Sequence, residues 1–402
     1  MKTLIDNQFN RVEFATYCKN VLVHDVLAFW LAHGIDKKNG GIYTGLDRDG
    51  TIIETDKSIW FQGRALWSFA TAYLLLAERG ENHPEYLDAC ESLAIFIEKH
   101  ATDSSDGRMY FRVTDDGKPV IKRIRYYFSE TFAAIGLAAY ARATGMSAYA
   151  EKAFQLFNAI EKIRSTHDVL VPKFNAVTRP SRGFGEPMIL LNTAAELRAS
   201  LPEKKDFFNN YIDALINEIE TYFVRPELKA VLEQCAPDGS VQHEHFEGRQ
   251  LNPGHAIEGA WFIMKEGLAR KSEKLMSLGL NMFTWMWERG WDKEYGGIIY
   301  FRDIDGKPGN EYWHDMKFWW PQCEAIIASL YAYAITSDVS YFNKFASVYN
   351  YFHKHFPDDE YGECFGYLHR DGTLSTPVKG NMYKGPFHIP RMYMECICHA
   401  AV

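Results

Sequence analysis

The chain has 402 residues, 47% of them hydrophobic and 15% aromatic, and a formal net charge of −8. Such a composition supports a large core and gives no basic footprint for nucleic acid. No apolar run reaches the ~18 residues that read as a bilayer span, and the first residues, MKTLIDNQFNRVEF, lack a secretory apolar core; a cytoplasmic protein without membrane or nucleic-acid partners is expected.

The first predicted helix covers 10–33 and leads into a turn-rich segment, GGIYTGLDRDG (40–50). A helix over 60–78 follows, then a charged-faced helix over 84–100. The same order returns with GRMYFRVTDDG (107–117) and helices over 126–144 and 147–163. The stretch 172–185 (PKFNAVTRPSRGFG) replaces the usual turn and is a candidate loop over a pocket; helices over 186–199 and 203–223 come next. AVLEQCAPDG (230–239) precedes helices over 252–269 and 272–289, and GGIIYFRDIDG (296–306) precedes helices over 315–335 and 339–355. GECFGYLHRDG (362–372) and a helix over 386–400 close the series.

The closing glycines are Gly50, Gly117, Gly239, Gly306 and Gly372, at near-constant spacing that doubles once, between Gly117 and Gly239. Self-similarity at a fixed period marks a repeat architecture. Six units result, each with one helix apolar nearly all round and one with a charged face. Two concentric rings, an all-α (α/α)6 barrel in a single domain spanning 1–402, are predicted, with short β-hairpins gathered at one end. A linear solenoid is the alternative, but it would expose an aromatic concave face.

Counted from the turn glycines, Arg64, Glu130, His255, Trp320 and His388 fall at similar offsets near the starts of inner helices, and Glu258 and Glu324 lie one turn after His255 and Trp320. Buried charges are costly unless paired or functional, so these side chains are expected to converge in one funnel. His255 follows Asn252-Pro253-Gly254, and His388 follows Gly385-Pro386-Phe387. At a helix start the dipole disfavours imidazolium, which predicts a lowered His255 pKa and a neutral general base. Arg64 shares a face with Trp60 and Trp67; it either holds a substrate oxygen or bridges Glu130 or Glu324. Glu258 and Glu324 are sugar-hydroxyl acceptors, histidine orienters or structural ion-pair partners. The seven cysteines form no framework and read as reduced thiols. His243-x-His245 has no third ligand nearby, and Cys396-x-Cys398-His399 fits no common zinc pattern, so no metal is expected. Gly380-x4-Gly385 is followed by Pro386 where a phosphate loop needs Lys.

Trp60-Phe61-Gln62-Gly63-Arg64, Phe128-Ser129-Glu130, Gly185-Glu186-Pro187-Met188 with Leu190-Leu191-Asn192, Gly248 to His255, Met316 to Ala325, Glu360 to Glu363 and Lys384 to Arg391 together resemble the N-acylglucosamine 2-epimerases over essentially the whole chain. The resemblance implies an (α/α)6 barrel, a homodimer and interconversion of N-acetylglucosamine and N-acetylmannosamine, small amino sugars. It puts the catalytic histidines at His255 and His388 and the substrate-site arginine and glutamate at Arg64 and Glu324, with Glu258, Trp320, Asn192 and Glu130 completing the expected substrate site. Related cellobiose epimerases carry a third histidine where this chain reads Met188 to Asn192, which favours the monosaccharide branch. Some members respond to ATP as an allosteric effector, though Gly380 to Gly385 departs from a nucleotide loop; no cofactor is required for the chemistry. Two imidazoles flanking C2 would remove a proton from one face and return one to the other. An aldose–ketose isomerase of mannose-type sugars, another sugar 2-epimerase, a glycoside hydrolase using Glu258 and Glu324, and a protein-binding module are the competing readings.

Overall fold

The computed structural model describes residues 9–121, 127–166 and 177–400. Among these residues, twelve long helices follow one another in the predicted order. They are α1 (Arg11–Val21, continued through π-type turns to Gly34), α2 (Ile59–Ala77), α3 (Pro84–His100), α4 (Phe128–Thr144), α5 (Ser147–Ser165) and α6 (Gly185–Ser200). The second half holds α7 (Lys205–Tyr222), α8 (Pro253–Arg270), α9 (Glu273–Gly290), α10 (Trp319–Thr336), α11 (Val339–His355) and α12 (His388–Ala400).

The even-numbered helices pack side by side in the order α2, α4, α6, α8, α10, α12, and α12 returns to α2. The odd-numbered helices form an outer layer, each packed on an inner one, with α1 against α12. That closure of the first element on the last separates a toroid from a solenoid. Inner helices are buried almost all round, as α4 shows from Ser129 to Ala141 without a break. Outer helices bury one stripe, as in α7, where Phe208, Ile212, Leu215, Ile216 and Ile219 recur at helical spacing.

All five repeat glycines adopt left-handed φ, between 76° and 89°, and each N–H donates to the carbonyl three residues earlier. A side chain there would be strained, which is why glycine closes every turn. The turns belong to short antiparallel ribbons at one end of the barrel. Hairpins form at 45–54, 112–121 and 367–376. The segments at 230–239 and 296–306 are not self-paired hairpins: Gln234–Cys235 pairs with Arg182–Gly183, and Arg302–Asp303 with Gln250–Leu251. The ribbons also link neighbouring units, since Lys57–Ser58, just before α2, pairs with Arg112–Val113 of the next unit. Likewise Lys317–Phe318 pairs with Tyr367–Leu368. That strand shortens the helix expected over 315–335, which begins at Trp319. Part of the candidate loop 172–185, and residue 126 of the helix expected over 126–144, lie outside the described residues.

Three fully buried lysines tie these ribbons to the loops that end the outer helices. Lys57 Nζ donates to Asp36 Oδ2 (2.6 Å) and to the carbonyls of Gly40 (2.7 Å) and Asp115 (2.9 Å). Lys317 does the same with Asp292 (3.0 Å), Gly296 (2.7 Å) and Arg370 (3.0 Å). Lys379 pairs with Asp358 (3.0 Å) and the Gly362 carbonyl (2.7 Å). Gln62 and Gln322 repeat a second device, each clamping the backbone of an isoleucine, Ile42 or Ile298, through both ends of its amide. The inner helices therefore start from a rigid, hydrogen-bonded rim.

Candidate active site

The rim surrounds a cavity of about 540 Å³ in the mouth of the inner ring. Every inner helix contributes to its wall from its first turns: Arg64 from α2, Phe132 from α4, Asn192 from α6, His255 and Glu258 from α8, Trp320 from α10, and His388 and Arg391 from α12. Tyr300, Trp313, Tyr367 and Tyr383 come from the connecting segments.

His255 is placed by its own helix start. Asn252 Oδ1 accepts from the His255 N–H (3.2 Å), capping α8, and Pro253 occupies a position whose N–H is not needed. The His255 Nδ1–H donates to the Glu233 carboxylate, at 3.0 and 3.1 Å from its two oxygens. His388 opens α12, and its Nδ1–H donates to Glu324 Oε1 (2.7 Å). Each ring is thus held through Nδ1, which leaves Nε2 as the free nitrogen. Trp320 lies between them, its indole 5.0 Å from the His255 ring and 5.7 Å from the His388 ring, centroid to centroid.

The two imidazoles sit in opposite fields. Burial lowers the His255 pKa, but the charge and hydrogen bond of Glu233, helped by Glu258, outweigh it and the net shift is upward. The lowering expected from the helix dipole is therefore overturned by a carboxylate at contact distance. His388 is pushed well down, first by burial and then by the positive charges of Arg64 and Arg391. Environments that push two titratable groups apart assign one as acid and the other as base.

Arg391 organises the floor. Its Nη2 donates to Glu258 and to Glu324 Oε1 (2.7 Å) and stands 3.3 Å from His388 Nδ1. Glu258, Glu324 and His388 would suit a metal ion by donor type, with atoms within 4.8 Å of one another. Arg391 already brings a cation to all three. Burial raises the Glu324 pKa, while Arg391 and the Trp261 indole N–H (2.8 Å to Oε2) oppose that rise.

Arg64 is different. Its guanidinium lies 4.5, 4.2 and 4.6 Å from the ring centroids of Trp60, Phe132 and Phe387, and its buried Nε has no hydrogen-bond partner among the described residues. Neither glutamate considered as its partner bridges it. Glu130 accepts from Arg108 Nε (2.6 Å) and the Met109 N–H (3.1 Å), and Glu324 serves His388 and Arg391. Burial pulls the Arg64 pKa down to about 9, which still leaves the group charged at neutral pH.

A sequence profile of the family described as N-acylglucosamine 2-epimerase (GlcNAc 2-epimerase) matches residues 40–386. The N-acylglucosamine 2-epimerase of Bos taurus is 34% identical over 374 residues, covering 92% of this chain and 87% of that protein. This chain belongs to the N-acylglucosamine 2-epimerase family. It is an isomerase-class carbohydrate epimerase by that membership. In fold, the cellobiose 2-epimerase from Spirochaeta thermophila superimposes with a TM-score of 0.82 at 22% identity, over 97% of each chain. A D-mannose isomerase superimposes with a TM-score of 0.80 at 17% identity, covering 98% of this chain and 100% of that one.

Of the residues singled out from sequence, the structure brings Arg64, Asn192, His255, Glu258, Trp320 and His388 to one cavity wall. Glu130 is not among them. Phe128, Phe132 and Ile135 take the cavity face of α4, and Glu130, two residues after Phe128, points to the opposite side and to Arg108. Glu324 is fully buried behind the wall, where its Oε1 accepts from His388 Nδ1–H. His243 pairs with Asp305 (3.0 Å) while His245 caps a separate helical turn, and the two share no site. Gly380 pairs its backbone with Leu46 in both directions (3.1 Å each way) instead of opening a helix, unlike a phosphate loop. Arg391 and Glu233 were missed. Arg391 was findable, because it lies three residues after His388 on the same helical face. Glu233 sits in a bend between two short strands and carries no periodic signal.

Proposed function

We propose that this chain interconverts N-acetyl-D-glucosamine and N-acetyl-D-mannosamine by moving a proton on and off C2. The observation that carries the reading is the pair of imidazoles packed on one indole in one cavity, with pKa values displaced in opposite directions. The sugar ring opens to give an aldehyde at C1, which makes the C2 proton acidic. Neutral His388 takes that proton through Nε2, and the electron pair of the C–H bond moves into an enolate whose oxygen gains negative charge. Arg64, cationic and without an ion-pair partner among the described residues, stabilises that oxygen. Protonated His255 delivers its proton to the other face of C2, the enolate returns to the aldehyde, and the configuration is inverted. The enzyme ends with His388 protonated and His255 neutral, the form that runs the reverse direction. Protons and electrons balance without a redox partner. Each positioned acid or base contributes roughly 10²–10⁴-fold.

The test is incubation with N-acetylmannosamine in deuterated water, followed by proton NMR. N-acetylglucosamine carrying solvent deuterium at C2 is expected. The His255→Asn variant should exchange the C2 proton through His388 yet produce little epimer. A ketose formed without any 2-epimer would replace this reading with an aldose–ketose isomerisation on the same scaffold.

The proposal includes a cytoplasmic homodimer. The seven free thiols fit a reducing compartment, and the family resemblance supplies the dimer. Light scattering of the purified chain tests the dimer, and a monomer would refute it.

A further inference from the structure

The reactive groups occupy only part of the cavity wall. In the ring of inner helices α4 stands opposite α10, and α6 stands opposite α12. The two imidazoles belong to α8 and α12 and flank Trp320 of α10. When C2 is planar, the imidazoles take its two faces and its three substituents lie in the plane between them. Trp320 closes that plane on the α10 side, so the substituents extend toward the opposite wall of α2, α4 and α6; the C1 oxygen takes Arg64 of α2, which leaves α4 and α6 to the other substituents. The wall there is apolar, formed by Phe132, Ile135, Met188 and Ile189. Among the described residues it carries two polar side chains, adjacent on α6. Thr193 is satisfied within its helix, its Oγ1 donating to the Ile189 carbonyl (2.8 Å). Asn192 is half-buried, lines the cavity and has no side-chain hydrogen bond to any described residue.

From this juxtaposition we infer that Asn192 and the apolar wall beside it form the subsite that reads the acylamido group on C2. The inference rests on the epimerase reading above and names the group by which the substrate class is recognised. An acylamide offers one carbonyl acceptor, one N–H donor and an apolar tail. The Asn192 amide offers the complementary donor and acceptor, and Met188 and Ile189 meet the tail. A 2-hydroxyl would leave part of the amide unpaired and the apolar corner unfilled, and unpaired polar groups in a closed site discriminate strongly.

Binding of open-chain alditols tests this without turnover. Calorimetric titration with N-acetyl-D-mannosaminitol and with D-mannitol should show the wild-type chain preferring the acetamido compound. Asn192→Ala should compress that preference by about tenfold. Met188→Ala, which enlarges the apolar corner, should move the best acyl chain from acetyl toward butanoyl. An unchanged preference in Asn192→Ala, together with an unchanged acyl-length order in Met188→Ala, overturns the subsite. The deuterium experiment separates the two failures. If the wild-type chain does not exchange the C2 proton of N-acetylmannosamine, the epimerase reading falls and the subsite falls with it. If it does exchange and the preferences stay, the subsite alone falls.

Discussion

Glu233 grips the imidazole of His255 from a different segment of the chain, both carboxylate oxygens lying within 3.1 Å of Nδ1. This contact sets the charge of His255 against the burial and the helix start that would neutralise it.

A bell-shaped pH dependence follows. Activity needs the pair to hold one proton, and the forward and reverse directions use the two tautomeric placements of that proton. On the acid side, kcat/KM falls as His388 protonates, at a pH below the ordinary histidine value because its pKa is lowered. On the alkaline side it falls as His255 loses its proton, above the ordinary value because its pKa is raised. Glu233→Gln removes the charge that raises His255, so the alkaline limb should move to lower pH and the plateau should narrow. A kcat/KM profile from pH 5 to 10 checks this; an alkaline limb unmoved by the substitution contradicts the assignment of His255 as the acid.

Arg64 should be dispensable for folding and indispensable for turnover. Among the described residues it has no salt bridge to offset its desolvation, and its Nε is buried without a partner. Replacing such a group by a well-packed apolar side chain is often neutral or stabilising. Arg64→Met should therefore melt at or above the wild-type temperature while kcat falls by roughly 10²–10³, the range for losing one oxyanion donor. Thermal melts and initial rates on the same preparation give both halves.

Gly254 precedes His255 and faces the indole that both imidazoles share. A Cβ there would lie 2.6 Å from Trp320 Cη2 and Cζ3 and 3.0 Å from Pro321 Cγ. In Gly254→Ala the indole has to shift, and the two rings packed on it shift with it. Misplacement of this order costs about 10²-fold in catalysis. The loss should fall on kcat more than on KM, and steady-state kinetics on N-acetylmannosamine reads the split.

The repeat was legible because each turn needs a left-handed glycine at the same place, and glycine is visible in sequence. The inner and outer rings were legible because burial all round and burial on one stripe leave different apolar patterns. His255, His388 and Arg64 stood out as titratable groups where a core should be. Glu130 misled because offset from a turn glycine counts residues and ignores rotation: its place on α4 faces Arg108 while Phe128 and Phe132 face the cavity. Glu233 was hidden because its contact to His255 crosses from an irregular segment, where no period fixes which way a side chain points. The buried lysines escaped notice for the converse reason. Lys57, Lys317 and Lys379 sit beside turns, where lysine is ordinarily solvated, and only the fold brings Asp36, Asp292 and Asp358 to them.

Those lysines give the last prediction, a difference between two substitutions of the same kind. Asp292 has two cations, Lys317 and Arg370, the latter donating from Nε (2.9 Å) and Nη2 (3.2 Å). Asp36 has Lys57, and beyond it the backbone N–H groups of Lys38 (2.8 Å) and Asn39 (3.1 Å). Lys57→Met leaves a buried carboxylate without a counter-ion among the described residues, at a cost of about 3–5 kcal/mol. Lys317→Met leaves Asp292 paired with Arg370 and should cost less, about 1–3 kcal/mol. The pH dependence separates a charge effect from a packing effect. Burial raises the Asp36 pKa, but Lys57 and the two N–H groups outweigh it, and the folded value lies below the ordinary one. Its contribution is present above the unfolded carboxylate range and is lost as pH falls through the folded value. Burial also pulls Lys57 down, so the pair contributes less than the Asp36 shift alone would imply. Without Lys57, burial drives Asp36 upward and the carboxyl takes up a proton at higher pH. The deficit of Lys57→Met relative to wild type should therefore be largest near pH 7 and shrink toward pH 5, whereas that of Lys317→Met should stay nearly constant. Urea unfolding at the two pH values measures both; equal and pH-independent deficits would mean that the lysines act as spacers rather than as charges.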